Sequence, residues 1–242
     1  MHFLFERAVI YASVRHKGKT RKIDKSPYIL HPMEVAQILS TMTDDREILA
    51  AGVLHDTVED TNATLTEIRV RFGRRVADLV ASETENKYPD EDRAYFWDKR
   101  KKESLAVLKN STDIGVKMLW LADKLANIRS LARAYSEQGE KVWETLNQKS
   151  PAKQRWYYRT IAEYLELELN KTGAYKELIR QINAIWPGTF ASEKEKFKNY
   201  RTVSVEGCSK IGRGAKGDAK KESDILMQKT AELLEHVDTL SF

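Results

Sequence analysis

Apolar residues through the first three quarters of the chain recur three and four positions apart, the spacing that lays an apolar stripe along an α-helix. No convincing run of alternating β-branched residues interrupts them, so the pattern predicts an all-α fold. It places helices at about 3–17, 32–42, 46–58, 65–72, 74–84, 96–109, 113–136, 140–148, 151–169 and 173–185. Thr64 followed by Glu67 forms a capping box at the start of the fourth helix, and Gly73 after Phe72 marks its end. Pro27, Pro32, Pro89, Pro151 and Pro187 fall between proposed helices, where the ring breaks no helical hydrogen bond. Trp120, Trp143, Trp156 and Trp186 are spread among the apolar residues of one packed interior.

After Pro187 the texture changes. A charged run, Glu193 to Lys198, precedes a glycine-containing stretch, Gly207 to Gly217. A last amphipathic helix then begins near Ser223, with Leu226, Thr230, Leu233, Val237 and Leu240 on one face. This predicts a main domain at 1–190 and an appendage at 191–242. The apolar face of the last helix needs cover, from the main domain or from a second copy in a homo-oligomer.

The formal charge of +5 equals the excess in one segment, Glu193–Lys221, which holds nine Lys/Arg against four Asp/Glu, so the rest of the chain sums to zero. The excess is local rather than general, which argues against a nucleic-acid face on the main domain. A smaller basic cluster remains at Arg15, Lys17, Lys19, Arg21, Lys22 and Lys25, of the kind a phosphorylated ligand needs. Cys208 is the single cysteine, so no disulfide forms within the chain. With no apolar stretch long enough for a signal peptide or a membrane span, the expectation is a cytoplasmic protein without membrane contact.

The strongest chemical signal is His55-Asp56-Thr57-Val58-Glu59-Asp60-Thr61. An imidazole beside a carboxylate offers one nitrogen and one anionic oxygen to a divalent ion. If the helix persists, Glu59 and Asp60 follow one turn later on the same face. Anions at a helix C-terminus oppose the macrodipole unless a cation is present. The same residues also suit a solvated acidic helix end beside a buried histidine. Two further candidates are His31, directly before Pro32, and Asp123, set among Trp120, Leu121 and Leu125. A carboxylate in that apolar setting needs a cation or strong hydrogen bonds. Pairing with Lys124 or Arg129 would serve as well, and His31 could equally be a structural histidine.

In their order along the chain, His31, His55-Asp56 and Asp123 resemble the HD superfamily. Arg21-Lys22, Pro27-Tyr28-Ile29-Leu30-His31-Pro32, Leu54 to Thr61, Phe72-Gly73 and Leu121 to Asn127 narrow that likeness. Together they resemble the hydrolase domain of the RelA/SpoT family and its small stand-alone alarmone hydrolases, over roughly residues 1–185. The resemblance implies an all-helical HD bundle holding one divalent ion, usually manganese, that hydrolyses the 3′-diphosphate of ppGpp or pppGpp. It implies that His31, His55, Asp56 and Asp123 ligate the ion, and that Glu59 and Asp60 orient and deprotonate the attacking water. It places Arg21 and Lys22 near the guanine base, Asn127 near the ribose, and Lys153 and Tyr157 at phosphate and sugar. Lys99, Arg100 and Lys101 lie where they could reach the 5′-phosphates, and His16 matches a recurrent histidine that is not a ligand. After His55 the remaining histidine is His236, too few for a dinuclear centre.

Gly212-Arg213-Gly214-Ala215-Lys216-Gly217 fits a nucleotide-binding glycine pattern, but too little chain follows it for a catalytic lobe. It is expected to be a basic linker or a vestige of a longer fusion. Two other readings compete with the alarmone hydrolase. One is an HD phosphatase acting on NADPH or a deoxynucleotide, and the other is a module that binds alarmone without hydrolysing it.

Overall fold

The computed structural model describes residues 3–85 and 96–191. The chain divides into two units, Met1–Thr189 and Phe190–Phe242. The expected terminal helix, the glycine pattern, Cys208 and His236 lie outside the described residues.

The elements in order are α1 (Leu4–Arg15), α2 (Leu30–Leu39), α3 (Arg46–Leu54), α4 (Thr57–Asp60), α5 (Leu65–Phe72) and α6 (Arg74–Glu83), followed by α7 (Trp97–Asn110) and α8 (Ile114–Gln138). A 3-10 helix at Gly139–Thr145 then leads to α9 (Pro151–Leu169) and α10 (Gly173–Ile185). Among the described residues the only β pairing is an isolated bridge between Thr20 and Pro27.

Side-chain caps set the helix starts. Asp45 accepts from the amides of Glu47 and Ile48, Asp113 from Gly115, Ser150 from Lys153 and Thr172 from Tyr175. Thr64 accepts from Glu67 N at 3.1 Å, the first half of the expected capping box. The Glu67 carboxylate turns instead to Arg15 and Arg71. Gly73 separates α5 from α6 at φ 98°, a backbone that a side chain would strain.

The long α8 is the axis of the domain and packs against α2, α3, α9 and α10. From Leu119 to Ala126 every residue except Lys124 is buried, and the chain around it closes as a helical shell. Trp120 and Trp143 are buried as expected, but Trp156 is 39 % exposed and meets the edge of Trp97 at the surface.

Three expectations need correction. The helix expected at 46–58 breaks after Leu54, because the buried Thr57 hydroxyl donates to Leu54 O at 2.6 Å and takes a carbonyl that the helix would use. His55 and Asp56 thus form a corner between α3 and α4. The helix expected from Pro32 already begins at Leu30, which puts His31 and Pro32 in its first turn, where an absent N–H costs nothing. The α-helix expected at 140–148 is the 3-10 turn, since Gly139 at φ 59° ends α8.

Gly52 on α3 sets how closely α2 can approach the corner. A Cβ there would lie 2.4 Å from Leu39 Cδ1, in a fully buried side chain. Gly52→Ala should therefore destabilise the domain by about 1–3 kcal/mol through overpacking, measurable as a lower urea midpoint. An unchanged midpoint would show that Leu39 has room to move.

Candidate metal centre and active site

Three elements bring the candidate ligands together: the first turn of α2 supplies His31, the α3–α4 corner His55 and Asp56, and the middle of α8 Asp123. His31, His55 and Asp123 are buried and offer atoms that all lie within 4.8 Å of one another, a group that could hold a metal ion. Asp123 Oδ1 lies 3.0 Å from His31 Nε2 and 3.4 Å from His55 Nε2. Asp56 Oδ2 approaches the same nitrogens, at 3.5 Å and 3.1 Å.

The imidazole of His55 has its tautomer set by the backbone. Its Nδ1 sits 2.8 Å from Gly52 O, which can only accept, so the proton belongs on Nδ1. Nε2 is left buried with no hydrogen-bond partner of proper geometry, facing two carboxylates. A ring nitrogen facing two carboxylates, with a second imidazole beside it, suits a borderline divalent ion. The donor set therefore fits a divalent ion.

Asp123 has a donor on each oxygen. Lys124 donates to its Oδ2, as the alternative had it, yet Asn127 donates to Oδ1 at 2.7 Å and the carboxylate stays buried facing the imidazoles. Arg129, the other partner considered, turns away to Glu34 and Glu177. Burial opposes the charge of Asp123, but Lys124 and the two imidazoles outweigh it and hold its pKa well below the usual value. Burial likewise opposes charge on His55, and the Asp56 and Asp123 carboxylates reverse the balance, raising its pKa well above the usual value.

A cavity of about 300 Å³ opens on this cluster, lined by His31, Asp56 and Asp123 together with Glu59, Asp60, Arg21, Lys22 and Asn127. Wider surface grooves exist, one of about 520 Å³ along Arg7, Tyr11 and Phe72, but it contains no imidazole. Arg21 donates to Asn127 Oδ1 at 3.0 Å and Lys22 to Asn147 Oδ1 at 2.9 Å, so both rim cations are tethered across the opening. Burial and then the charge of Asp56 raise the Glu59 pKa to about 7.

The cavity does not gather every expected contact. Lys153 is half exposed and pairs with Asp98 at 2.8 Å, and Tyr157 is buried behind Lys101, whose Nζ lies 4.8 Å from its ring centre; neither lines the cavity. Arg100 and Lys101 both bond Glu85, at 2.8 Å and 2.5 Å, and of the two only Lys101 lines the cavity. Lys99 packs by Phe96, its Nζ 6.0 Å from the ring centre. Sequence reasoning passed over Glu83 and Glu85, which line the wall, and gave Lys124 no role in the site. Glu83 accepts from Lys124 at 3.1 Å, and burial raises its pKa. Glu83 meets Lys124 across 41 positions and Glu85 meets Arg100 and Lys101 across 15 and 16, and no local pattern marks them.

A family model of the HD domain matches residues 8–151. The chain belongs to the HD-domain family. Among proteins of similar sequence, guanosine-3′,5′-bis(diphosphate) 3′-pyrophosphohydrolase of Aquifex aeolicus is 36 % identical over 165 residues, 66 % of this chain and 23 % of that protein. The bifunctional (p)ppGpp synthase/hydrolase SpoT of Escherichia coli is 32 % identical over 210 residues, 85 % of this chain and 27 % of that protein. The chain thus spans about a quarter of the length of these curated relatives. Among solved structures, lmo0812 of Listeria monocytogenes is 36 % identical at a TM-score of 0.57, covering 64 % of this chain and 98 % of that one. The HD fold also recurs in a metazoan ortholog of SpoT that hydrolyses ppGpp, 24 % identical at a TM-score of 0.61, covering 77 % of this chain and 97 % of that one. Among the described residues, no helix is long and apolar enough to cross a membrane.

The Asp56 and Asp123 carboxylates that raise the His55 pKa favour a proton on its Nε2 when no ion is bound. A divalent ion ligated by His55 must displace it, so ion binding at pH 7 should release protons. Calorimetry in buffers of different ionisation enthalpy measures this, and a binding enthalpy independent of buffer would exclude His55 as a ligand.

Proposed function

We propose that this HD domain is a metal-dependent 3′-pyrophosphohydrolase of ppGpp and pppGpp, releasing pyrophosphate and GDP or GTP. The observation that carries the reading is one cavity in which Glu59 and Asp60 face the His31, Asp56 and Asp123 cluster beneath the rim cations Arg21 and Lys22. The names of the Aquifex and Escherichia relatives support the substrate.

In this reading His31, His55, Asp56 and Asp123 would hold one divalent ion, manganese, which when bound would supply Lewis acidity to the hydrolysis. Glu59 takes the proton of the attacking water. Its pKa of about 7 suits a base working near neutrality, high enough to attract the proton and low enough to be free of one. Asp60, next to it on the single turn α4, orients that water from the same wall. Arg21 and Lys22 receive the guanine side of the nucleotide, and Asn127, already bonded to Asp123, is placed to meet the ribose beside the bond that breaks. Lys101 and Lys124 add positive charge along the wall for the phosphates. Tyr157 then acts through Lys101 rather than on the nucleotide, and Lys153 has no contact to make.

The test is release of pyrophosphate from ppGpp by metal-stripped protein with and without added Mn²⁺, with NADPH and a deoxynucleotide as competing substrates. Mn²⁺-dependent formation of GDP is the expected result. Turnover of a competitor alone would move the activity to that nucleotide, and alarmone binding without turnover would leave a sensor. Glu59→Gln and Asp60→Asn should each lower kcat by ~10²–10⁴ while retaining the ion; full activity in both would remove the proposed base. Because the base must be unprotonated, the rate should climb with pH on the acid side. The ion offsets the charge of Asp56, so the midpoint of that limb should fall between the ordinary glutamate value of 4.5 and about 7.

A further inference from the structure

One neighbour of the cluster has no part in the mechanism so far. Tyr28 ends the segment between α1 and α2 that carries Arg21 and Lys22. That segment doubles back on itself: Arg21 N donates to Ser26 O at 2.9 Å and Tyr28 N to Lys19 O at 2.9 Å. From its base the Tyr28 hydroxyl donates to Asp56 Oδ2 at 2.6 Å. This is the oxygen that also approaches Nε2 of His55 and His31, at 3.1 Å and 3.5 Å.

The ring is held in place around that bond. It stacks on His16, with centroids 4.8 Å apart and planes 23° from parallel, and meets the edge of His31 at 6.1 Å. His16 is buried, and neither ring nitrogen has a hydrogen-bond partner among the described residues. Burial lowers its pKa, so it packs as a neutral plate behind the tyrosine. Burial and the Asp56 charge raise the Tyr28 pKa far above its usual value, which keeps the hydroxyl protonated and donating.

The two carboxylates are secured differently. Asp123 is 5 % exposed and takes donors from its own helix, Asn127 on one oxygen and Lys124 on the other. Asp56 sits at a corner with its side chain 20 % exposed, and its neutral donor arrives from a separate segment. Removing that donor leaves the Asp56 torsion without its uncharged restraint while Asp123 stays fixed.

We propose that Tyr28 is a positioning residue for the metal centre, its hydroxyl holding Asp56 so that Oδ2 stays beside Nε2 of both imidazoles. This rests on the reading of Asp56 as a ligand. Outer partners of this kind contribute ~10–100-fold to metal affinity or activity.

The test is titration of Mn²⁺ into the full chain and into Tyr28→Phe, followed by calorimetry and by the electron paramagnetic resonance of the bound ion. Phenylalanine keeps the ring on His16 and removes only the hydroxyl. Tyr175→Phe is the control, since that hydroxyl is also buried but donates to Ala162 O at 3.1 Å where α9 and α10 pack together. Expected are a Kd for Mn²⁺ ~10-fold or more weaker in Tyr28→Phe, an altered resonance, and a fall in kcat with KM for the nucleotide little changed. Tyr175→Phe should bind Mn²⁺ as the parent does, even if its melting temperature falls. Parental Mn²⁺ affinity and resonance in Tyr28→Phe would overturn the proposal and leave the Asp56 reading standing. Equal losses in both variants would reduce Tyr28 to a general structural part, and no Mn²⁺ binding by the parent chain would overturn the centre itself.

Discussion

Two imidazoles and two carboxylates packed within about a hydrogen bond of one another form the constraint around which this domain is arranged. Buried charge is tolerated only where it is paired, and bare carboxylates at this depth would destabilise the fold. Here the pairing is spread over several elements. Lys124 and Asn127 restrain Asp123 from within α8, Gly52 O fixes the proton of His55 from within α3, and Tyr28 reaches Asp56 from the segment before α2. Asp123, His55 and Asp56 thus each have a support of their own, and the carboxylate–imidazole contacts among the four residues are what join α2, α3 and α8.

That requirement explains features that would otherwise look incidental. The break after Leu54 turns the chain so that His55 points inward while Asp56 remains at the cavity wall, and the buried Thr57 hydroxyl makes the break. A continuous helix would have carried Glu59 and Asp60 along the α3 axis. The short α4 instead sets both on the wall of the same cavity, with Asp60 N bonded back to Asp56 O at 2.8 Å. The second wall is built from alternating charges, in which Glu83 and Glu85 hold Lys124 and Lys101. Each of these cations is thereby paired with an acid and still lines the cavity.

How far this could be read in advance follows from the range of each interaction. Helices with their own caps, such as those begun by Asp113 and Ser150, are local events and fell close to the predicted positions. The boundaries that shifted were governed by a single hydroxyl or glycine: Thr57 at the α3–α4 corner and Gly139 at the end of α8. For the site, the four candidate ligands and the Glu59-Asp60 pair stand out because their residue types are costly in an apolar context. Glu83, Glu85 and Asn147 do not, since an acid or amide on a polar face carries no mark of what lies opposite. Lys153 shows the converse, a residue that suited a phosphate contact yet spends its charge on Asp98.

By itself the sequence determined the helical class, the HD family and the residue types able to hold a divalent ion, because apolar periodicity and the placement of imidazoles and carboxylates are written one position at a time. Tertiary structure alone decided which oxygen of Asp56 faces the imidazoles, that Lys124 and Asn127 share Asp123, and that Arg21 is tethered to Asn127 across 106 positions of chain. Those are distances between elements far apart in sequence, and they exist only once α8 is enclosed and the buried charges have had to find their partners.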